Sequence, residues 1–280
     1  MIHLVHSIQI VIVLYKIELN ASLSYKTLNE YISALSINYE LLIYNNSSEI
    51  FIESNNGYCV VNAVQNEMLA VAYNYALQRA ITKGHNWLLL LDQDTCLTKE
   101  YFEHLNAAMC HDNIDVIIPK LKSRMVHLSP KSCCSVIGPW GRMKDIKTAG
   151  TIINKTIQAF NSAALITTRS LQKIGGFSLE FPLYELDYWV FYQLSKNNER
   201  FYLMDVELSH DLTMLDYHNK MTMSRYYSII GAEYKYSRKL GLLATSMFKA
   251  RLLLRLIKQI LIKEKRIYIY ITLRYLCKIK

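Results

Sequence analysis

The chain has 280 residues, 51% of them hydrophobic and 20% charged, enough apolar mass for one large core or two small ones and too much for a disordered segment. Nine glycines and four prolines exclude collagen-like and low-complexity chains, and no uncharged apolar run reaches the roughly 18 residues of a membrane-spanning helix. Residues 235–280 hold thirteen of the 32 Lys and Arg but one of the 23 acids, a net +12 that leaves the rest at −3, so a slightly acidic body carries a strongly basic tail.

The first predicted element is Ile8–Leu14 (IQIVIVL), a β-branched run that reads as a strand covered on both faces. It has no basic flank before it and no small-residue cleavage site after it, which argues against a signal peptide. Helical spacing follows from Leu23 to Leu35, then a strand at Glu40–Tyr44 stopped by Asn45-Asn46-Ser47-Ser48. Tyr58–Val61 is a third strand, Glu67–Ala80 an Ala- and Leu-rich helix, and Trp87–Leu91 (WLLLL) a central strand. Strands alternating with helices at this spacing predict an α/β sheet with largely parallel strands.

Val116–Pro119 reads as a strand end, and Lys120–Lys147, with its Ser, Pro, Gly and Cys, as loop. Thr151–Ile153 and Ala163–Thr167 are short strands, Ser170–Ile174 a helical turn ended by Gly175-Gly176, and Leu183–Leu194 a helix. From about Ser224 the pattern is helical, with Arg251, Arg255 and Lys258 at i, i+4 and i+7 opposite Leu252, Leu253, Leu256, Ile257 and Ile260. Two regions are expected: residues 1–222 and a basic amphipathic helical region, 223–280. Cys59, Cys96, Cys110, Cys133, Cys134 and Cys277 form no C-x-x-C pair and read as free thiols.

Three segments carry chemistry. In Trp87–Thr95 (WLLLLDQDT) the apolar run stops at two carboxylates, Asp92 and Asp94. The carboxyl ends of strands in an open α/β sheet open onto the ligand crevice, and two such acids can converge on a hard divalent cation. Dehalogenase-type phosphatases also place an aspartate pair after a strand, but near the chain start and with Thr or Val where this chain has Cys96. In Asn161–Asp187, Gly175-Gly176-Phe177 leads into an aromatic-acidic stretch with Glu185 and Asp187. An acid in apolar surroundings tends towards a raised pKa, which suits a general base. In Val206–Thr213 (VELSHDLT), His210 follows a strand.

In this order the segments resemble the family 2 glycosyltransferases with a GT-A fold, and within them the rhamnosyltransferase-like branch. The resemblance covers about residues 8–240 and includes Ile12–Tyr15, Ile43–Ser48 (IYNNSS), Asn66–Asn74, WLLLLDQDT, NSAALI, IGGF, ELDYW and ELSHDLT. It implies a GT-A sheet, Rossmann-like and flanked by helices, with a helical basic extension. It also implies an inverting enzyme that moves a sugar from a nucleoside-diphosphate sugar to a saccharide or polyprenyl-linked acceptor in surface polysaccharide biosynthesis. Asp94 would hold a Mg²⁺ or Mn²⁺ ion with Asp92 and His210, Asp92 also serving the ribose. Asp187 would be the catalytic base, with Glu185 as its nearest substitute, and Tyr15, Asn45 and Asn46 would line the nucleotide. The chain departs from the family pattern at Asn45 (usually Asp), Met68 (usually Gly) and Lys16 (frequently Asn). A catalytically silent GT-A scaffold is the alternative.

The tail, as an amphipathic helix, is expected to place residues 242–280 on an anionic membrane surface, making the protein peripheral on the cytoplasmic face. No nucleic-acid motif accompanies it, and nucleic acid is not an expected partner.

Overall fold

The computed structural model describes residues 6–123, 126–152, 155–209 and 221–278. These residues form two compact units, one built from residues up to 131 and from 145–209, the other from 132–144 and 221–278.

The first unit is organised by a nine-stranded sheet: β1 (Ser7–Leu14), β2 (Asn38–Asn45), β3 (Cys59–Asn62), β4 (Trp87–Asp92), β5 (Val116–Ser123), β6 (Val126–Ser129), β7 (Gly150–Ile152), β8 (Ala164–Thr167) and β9 (Phe201–Ser209). The order is β3-β2-β1-β4-β8-β5-β9-β7, with β6 on β5. Strands β3, β2, β1 and β4 are mutually parallel, as are β5 and β9, while β8 runs antiparallel between β4 and β5. Because β1 continues to β2 on one side and has β4 on the other, the strand order reverses between β1 and β4. A crevice opens at such a switch point, beyond the carboxyl ends of the strands.

Helices α1 (Leu23–Tyr31), α2 (Met68–Lys83), α3 (Lys99–Met109), α4 (Thr168–Lys173) and α5 (Leu186–Lys196) complete this unit. Ile8, Ile10, Ile12 and Leu14 share a buried core with Leu28 of α1 and Phe102 and Leu105 of α3. The alternate residues Val11, Val13, Leu88 and Leu90 are also buried and point to the opposite face, where α2 crosses β1 and β4. Burial on both faces explains why β1 and β4 are continuous apolar runs rather than alternating ones.

Two departures from the sequence reading stand out. Helix α3 was not among the predicted elements, although Thr98 caps it by accepting from the Tyr101 N–H at 3.2 Å and its apolar residues fall at helical spacing. Residues 120–147 are not simply loop: β5 runs on to Ser123 and turns back through β6. The polar letters of that stretch alternate with buried ones, as on a hairpin with one covered face.

The second unit contains α6 (Met223–Leu240), α7 (Leu242–Leu261) and α8 (Ile269–Leu276). Phe248, Leu252 and Leu256 of α7 are buried with Tyr226, Ile230, Tyr234 and Tyr236 of α6 and Ile271 and Tyr275 of α8. Of the basic stripe of α7, Arg251 and Lys258 remain exposed while Arg255 is drawn into the unit. Arg251 donates to the carbonyls of Pro139 (3.0 Å) and Gly141 (2.8 Å), and Arg255 forms a two-pronged pair with Glu233, both contacts at 3.1 Å. Of the apolar residues grouped on one face from the sequence, Leu252 and Leu256 are packed inside the unit, whereas Leu253, Ile257 and Ile260 are exposed. Among the described residues no helix is long and apolar enough to cross a membrane.

Candidate active site

Strand register brings the first group of residues together. Val13 stands opposite Asp92 and Leu14 opposite Asn45, so Tyr15, Asn45, Asn46 and Asp92 emerge at one level of the sheet edge. The Asp92–Thr95 turn is held through its backbone. Gln93 accepts on its carbonyl from the Ser22 hydroxyl (2.9 Å) and the N–H groups of Leu23 (3.0 Å) and Ser24 (3.3 Å), and on its side chain from the Tyr15 N–H (2.7 Å). The Ser24 hydroxyl donates to the Asp92 carbonyl and accepts from the Thr95 N–H at 3.0 Å.

Both carboxylate oxygens of Asp92 are engaged, one by the Tyr73 hydroxyl (3.1 Å) and the other by Ser162 (2.6 Å). Tyr73 is fully buried, and its phenol pKa is pushed well up by burial and then by the charges of Asp92, Asp187 and Asp94. It therefore remains a hydroxyl donor to Asp92.

Asp187 sits in the first turn of α5, half-buried, and accepts on one oxygen from the Asn161 side-chain amide (2.6 Å) and on the other from the Asn161 backbone N–H (3.3 Å). Desolvation raises its pKa to about 7, the Asp92 charge adds to the rise, and the Asn161 hydrogen bonds and its own N–H oppose it. Adjacent residues thus hold the two acids: Asn161 grips Asp187 and Ser162 grips Asp92. That dipeptide is anchored by the Ala163 N–H on the Leu90 carbonyl and the Tyr101 hydroxyl on the Ala163 carbonyl, both at 2.9 Å.

The segment before α5 is pinned to α2. Pro182 accepts from the N–H groups of Leu69 (2.9 Å) and Ala70 (3.0 Å), two of the donors a helix start leaves unsatisfied. Asn74 pairs its amide with both backbone groups of Phe177, at 2.7 and 2.9 Å. Gly176 makes that approach possible: its φ is +77°, and a Cβ there would lie 2.6 Å from the Asn74 side-chain oxygen.

Of six non-glycine residues with positive φ among the described ones, four border this site: Lys16 (56°), Met68 (68°), Ala163 (60°) and Glu185 (64°). Asn and Gly tolerate this backbone region, whereas Lys and Met there carry a cost. The departures from the family pattern at positions 16 and 68 therefore have a physical consequence, local strain at the crevice.

Asn45 is fully buried and its amide nitrogen donates to the Ile50 carbonyl (2.5 Å) and the Asn62 side chain (2.8 Å), which an ionised aspartate could not do. Its side-chain oxygen is buried with no hydrogen-bond partner among the described residues. Asn46 accepts the Glu67 N–H at 2.7 Å. Tyr15 keeps its ring exposed. Asp94 lies half-exposed beyond Asp92, and its charge reaches Tyr73. Glu185 immediately precedes α5. His210 lies outside the described residues. Among those described, no three His, Cys, Asp or Glu side chains gather as a metal cage.

The sequence reading did not single out Asn161, Ser162 or Tyr73 as site residues. A polar Asn-Ser pair directly before the apolar run of β8 was a visible signal; a tyrosine within a helix was not.

The sequence model of Glycosyl transferase family 2 matches residues 10–174, more than half of the chain. No curated protein matches it. Among solved structures, TarS 1-349 of S. aureus is 12% identical, with 88% of this chain and 79% of that one covered at a TM-score of 0.52. The same TarS fragment in complex with UDP covers 87% and 68% at 0.53, also at 12% identity. The mannosyltransferase PcManGT from Pyrobaculum calidifontis, in complex with GDP-Man and Mn²⁺, is 14% identical and covers 96% and 84% at 0.51. At these identities the likeness concerns the fold, which is GT-A, while the sequence match concerns the family: the chain belongs to Glycosyl transferase family 2 and is a glycosyltransferase.

Proposed function

We propose that the chain is an inverting, divalent-cation-dependent enzyme that transfers a hexose or deoxyhexose, rhamnose among them, from a nucleoside-diphosphate sugar to a saccharide or polyprenyl-linked acceptor. The observation that carries this reading is Asp187: a half-buried carboxylate with a pKa of about 7, held by Asn161 beside the Asp92 edge. A base poised near neutral pH suits removal of a proton from an acceptor hydroxyl. That oxygen bonds to the anomeric carbon from the face opposite the nucleotide, the bond to the diphosphate oxygen breaks, and the proton stays on Asp187.

Tyr15, Asn45 and Asn46 line the nucleotide in this reading, Tyr15 offering its exposed ring and the buried Asn45 and Asn46 shaping the wall behind it. Asp92, tied by Tyr73 and Ser162, keeps its place beside the ribose. In this reading Asp94 and Asp92 would hold Mg²⁺ or Mn²⁺ through carboxylate oxygens, the hard donors such a cation prefers, and His210 would add an imidazole nitrogen. Such a cation, when bound, stabilises negative charge on the departing diphosphate. The solved neighbours that carry UDP, or GDP-Man with Mn²⁺, support this class of donor. Surface polysaccharide synthesis on the cytoplasmic face of a membrane, with residues 242–280 as the membrane contact, completes the proposal.

Calorimetry of the purified protein against a panel of nucleotide sugars, with and without Mn²⁺, tests it. Manganese-dependent binding of one donor, lost in Asp94→Ala, is expected. A folded protein that binds no donor would overturn the reading in favour of a silent scaffold.

A further inference from the structure

The second unit leaves an apolar ridge on its surface. Along α7, Leu243 (53% exposed), Leu254 (61%), Ile257 (47%) and Leu261 (75%) recur at helical spacing on the side away from buried Phe248, Leu252 and Leu256. Leu253 and Ile260 widen the ridge along one border. A continuous outward face of this kind is unusual for a surface that meets only water. Cations flank it. By helical spacing Lys249 lies along one side and Lys258 along the other, and Lys263, Lys265 and Arg266 follow immediately after the helix. Between α6 and α7, a cavity of about 250 Å³ has Lys258 and Lys265 in its wall beside the Arg255–Glu233 pair.

The arrangement differs from the simple amphipathic helix expected from the sequence. Arg255 pairs its charge with Glu233, whereas Arg251, Lys249 and Arg266 donate to neutral backbone carbonyls (of Pro139 and Gly141, of Lys278 and of Ile260) and so keep theirs. Phe248, Leu252 and Leu256 are used in packing. What the folded unit still presents is an apolar strip edged by lysines.

We infer that this ridge is the membrane-docking element: Leu254, Ile257 and Leu261 insert at the headgroup boundary of an anionic bilayer, and Lys249, Lys258 and the 263–266 cluster meet its phosphates. The inference rests on the membrane contact proposed above and assigns it to particular side chains. Charge favours lipid over a second copy of the chain, because face-to-face pairing would bring two tails of net +12 together. Burying the ridge supplies the apolar part of the affinity, and each flanking cation adds attraction to the anionic surface.

The test is flotation of the full chain with phosphatidylglycerol–phosphatidylcholine vesicles and with phosphatidylcholine vesicles alone. Flotation with the anionic vesicles is expected, with a loss of about tenfold or more for Leu254→Ser/Ile257→Ser/Leu261→Ser and about fivefold per charge for Lys249→Gln and Lys258→Gln. All these positions are at least partly exposed and outside the transfer site, so unchanged thermal melting and donor binding serve as controls. A wild-type chain that does not float sinks the membrane reading and the inference together. A wild-type chain that floats while the triple variant floats equally well sinks the inference alone. A dimer in light scattering that the triple variant abolishes, without vesicle binding, assigns the ridge to self-association and overturns it.

Discussion

Replacing Asp187 by Asn separates the energetic origin of its raised pKa from its proposed catalytic role. In the folded protein the carboxyl titrates at about 7, against 3.8 for the unperturbed group. Between those values the native state holds a proton that the unfolded chain has released, so stability falls as pH rises through this window. The full displacement of about three units, at 1.36 kcal/mol each, sets a ceiling near 4 kcal/mol. Solvent access to this half-buried group screens part of it, and about 2 kcal/mol is the expected size. Asp187→Asn removes the titration. Its stability relative to wild type should be near zero at pH 4, rise through pH 5–7 and level off above pH 8. Urea unfolding of both proteins at half-unit pH steps measures the difference. In the same variant, transfer should fall by about 10²–10⁴ while donor affinity is retained. A stability difference independent of pH would refute the argument that burial raises this pKa; normal turnover would remove Asp187 from the chemistry.

Other expectations follow from the same geometry. Asn161→Ala removes a hydrogen bond that holds the Asp187 pKa down, so the acidic limb of the pH–rate profile should move to higher pH; a limb that stays in place would mean that Asn161 does not tune the acid. Asp92→Asn removes a like charge and should shift that limb the other way, with loss of donor affinity read by calorimetry. Met68→Gly relieves a left-handed backbone conformation and should stabilise the fold by about 1 kcal/mol, provided the start of α2 is as strained as its φ of 68° implies; an unchanged urea midpoint would count against strain there. Gly176→Ala forces a Cβ against the Asn74 side chain and should cost about 1–3 kcal/mol in unfolding while depressing transfer, because Asn74 holds the segment that leads to Asp187.

Much of the fold was legible without coordinates because its strongest signals are local. β1 and β4 are apolar runs long enough for a strand and too short for a surface helix, and the acids that end β4 mark the edge at which the sheet opens. The abrupt passage from WLLLL to DQD needs no tertiary information to place carboxylates at a strand end. The basic tail, the helical spacing of residues 242–261 and the free thiols are likewise properties of the chain itself.

What required the folded molecule is everything set by pairs of residues far apart in sequence. Asn161 grips Asp187 and Ser162 grips Asp92 only because β8 enters antiparallel beside β4, and strand direction is decided by pairing rather than by composition. Lys16 and Met68 reveal strain only when their backbone angles are known. On α7, one sequence pattern admits two outward faces, and the choice between them belongs to the partners. Pro139, Gly141 and Glu233 take up the arginines, while α6 and α8 bury Phe248, Leu252 and Leu256 and leave Leu254, Ile257 and Leu261 facing out. Periodicity names the residues that share a helix face, but which face is buried is an energetic competition among all the surfaces the chain brings to it.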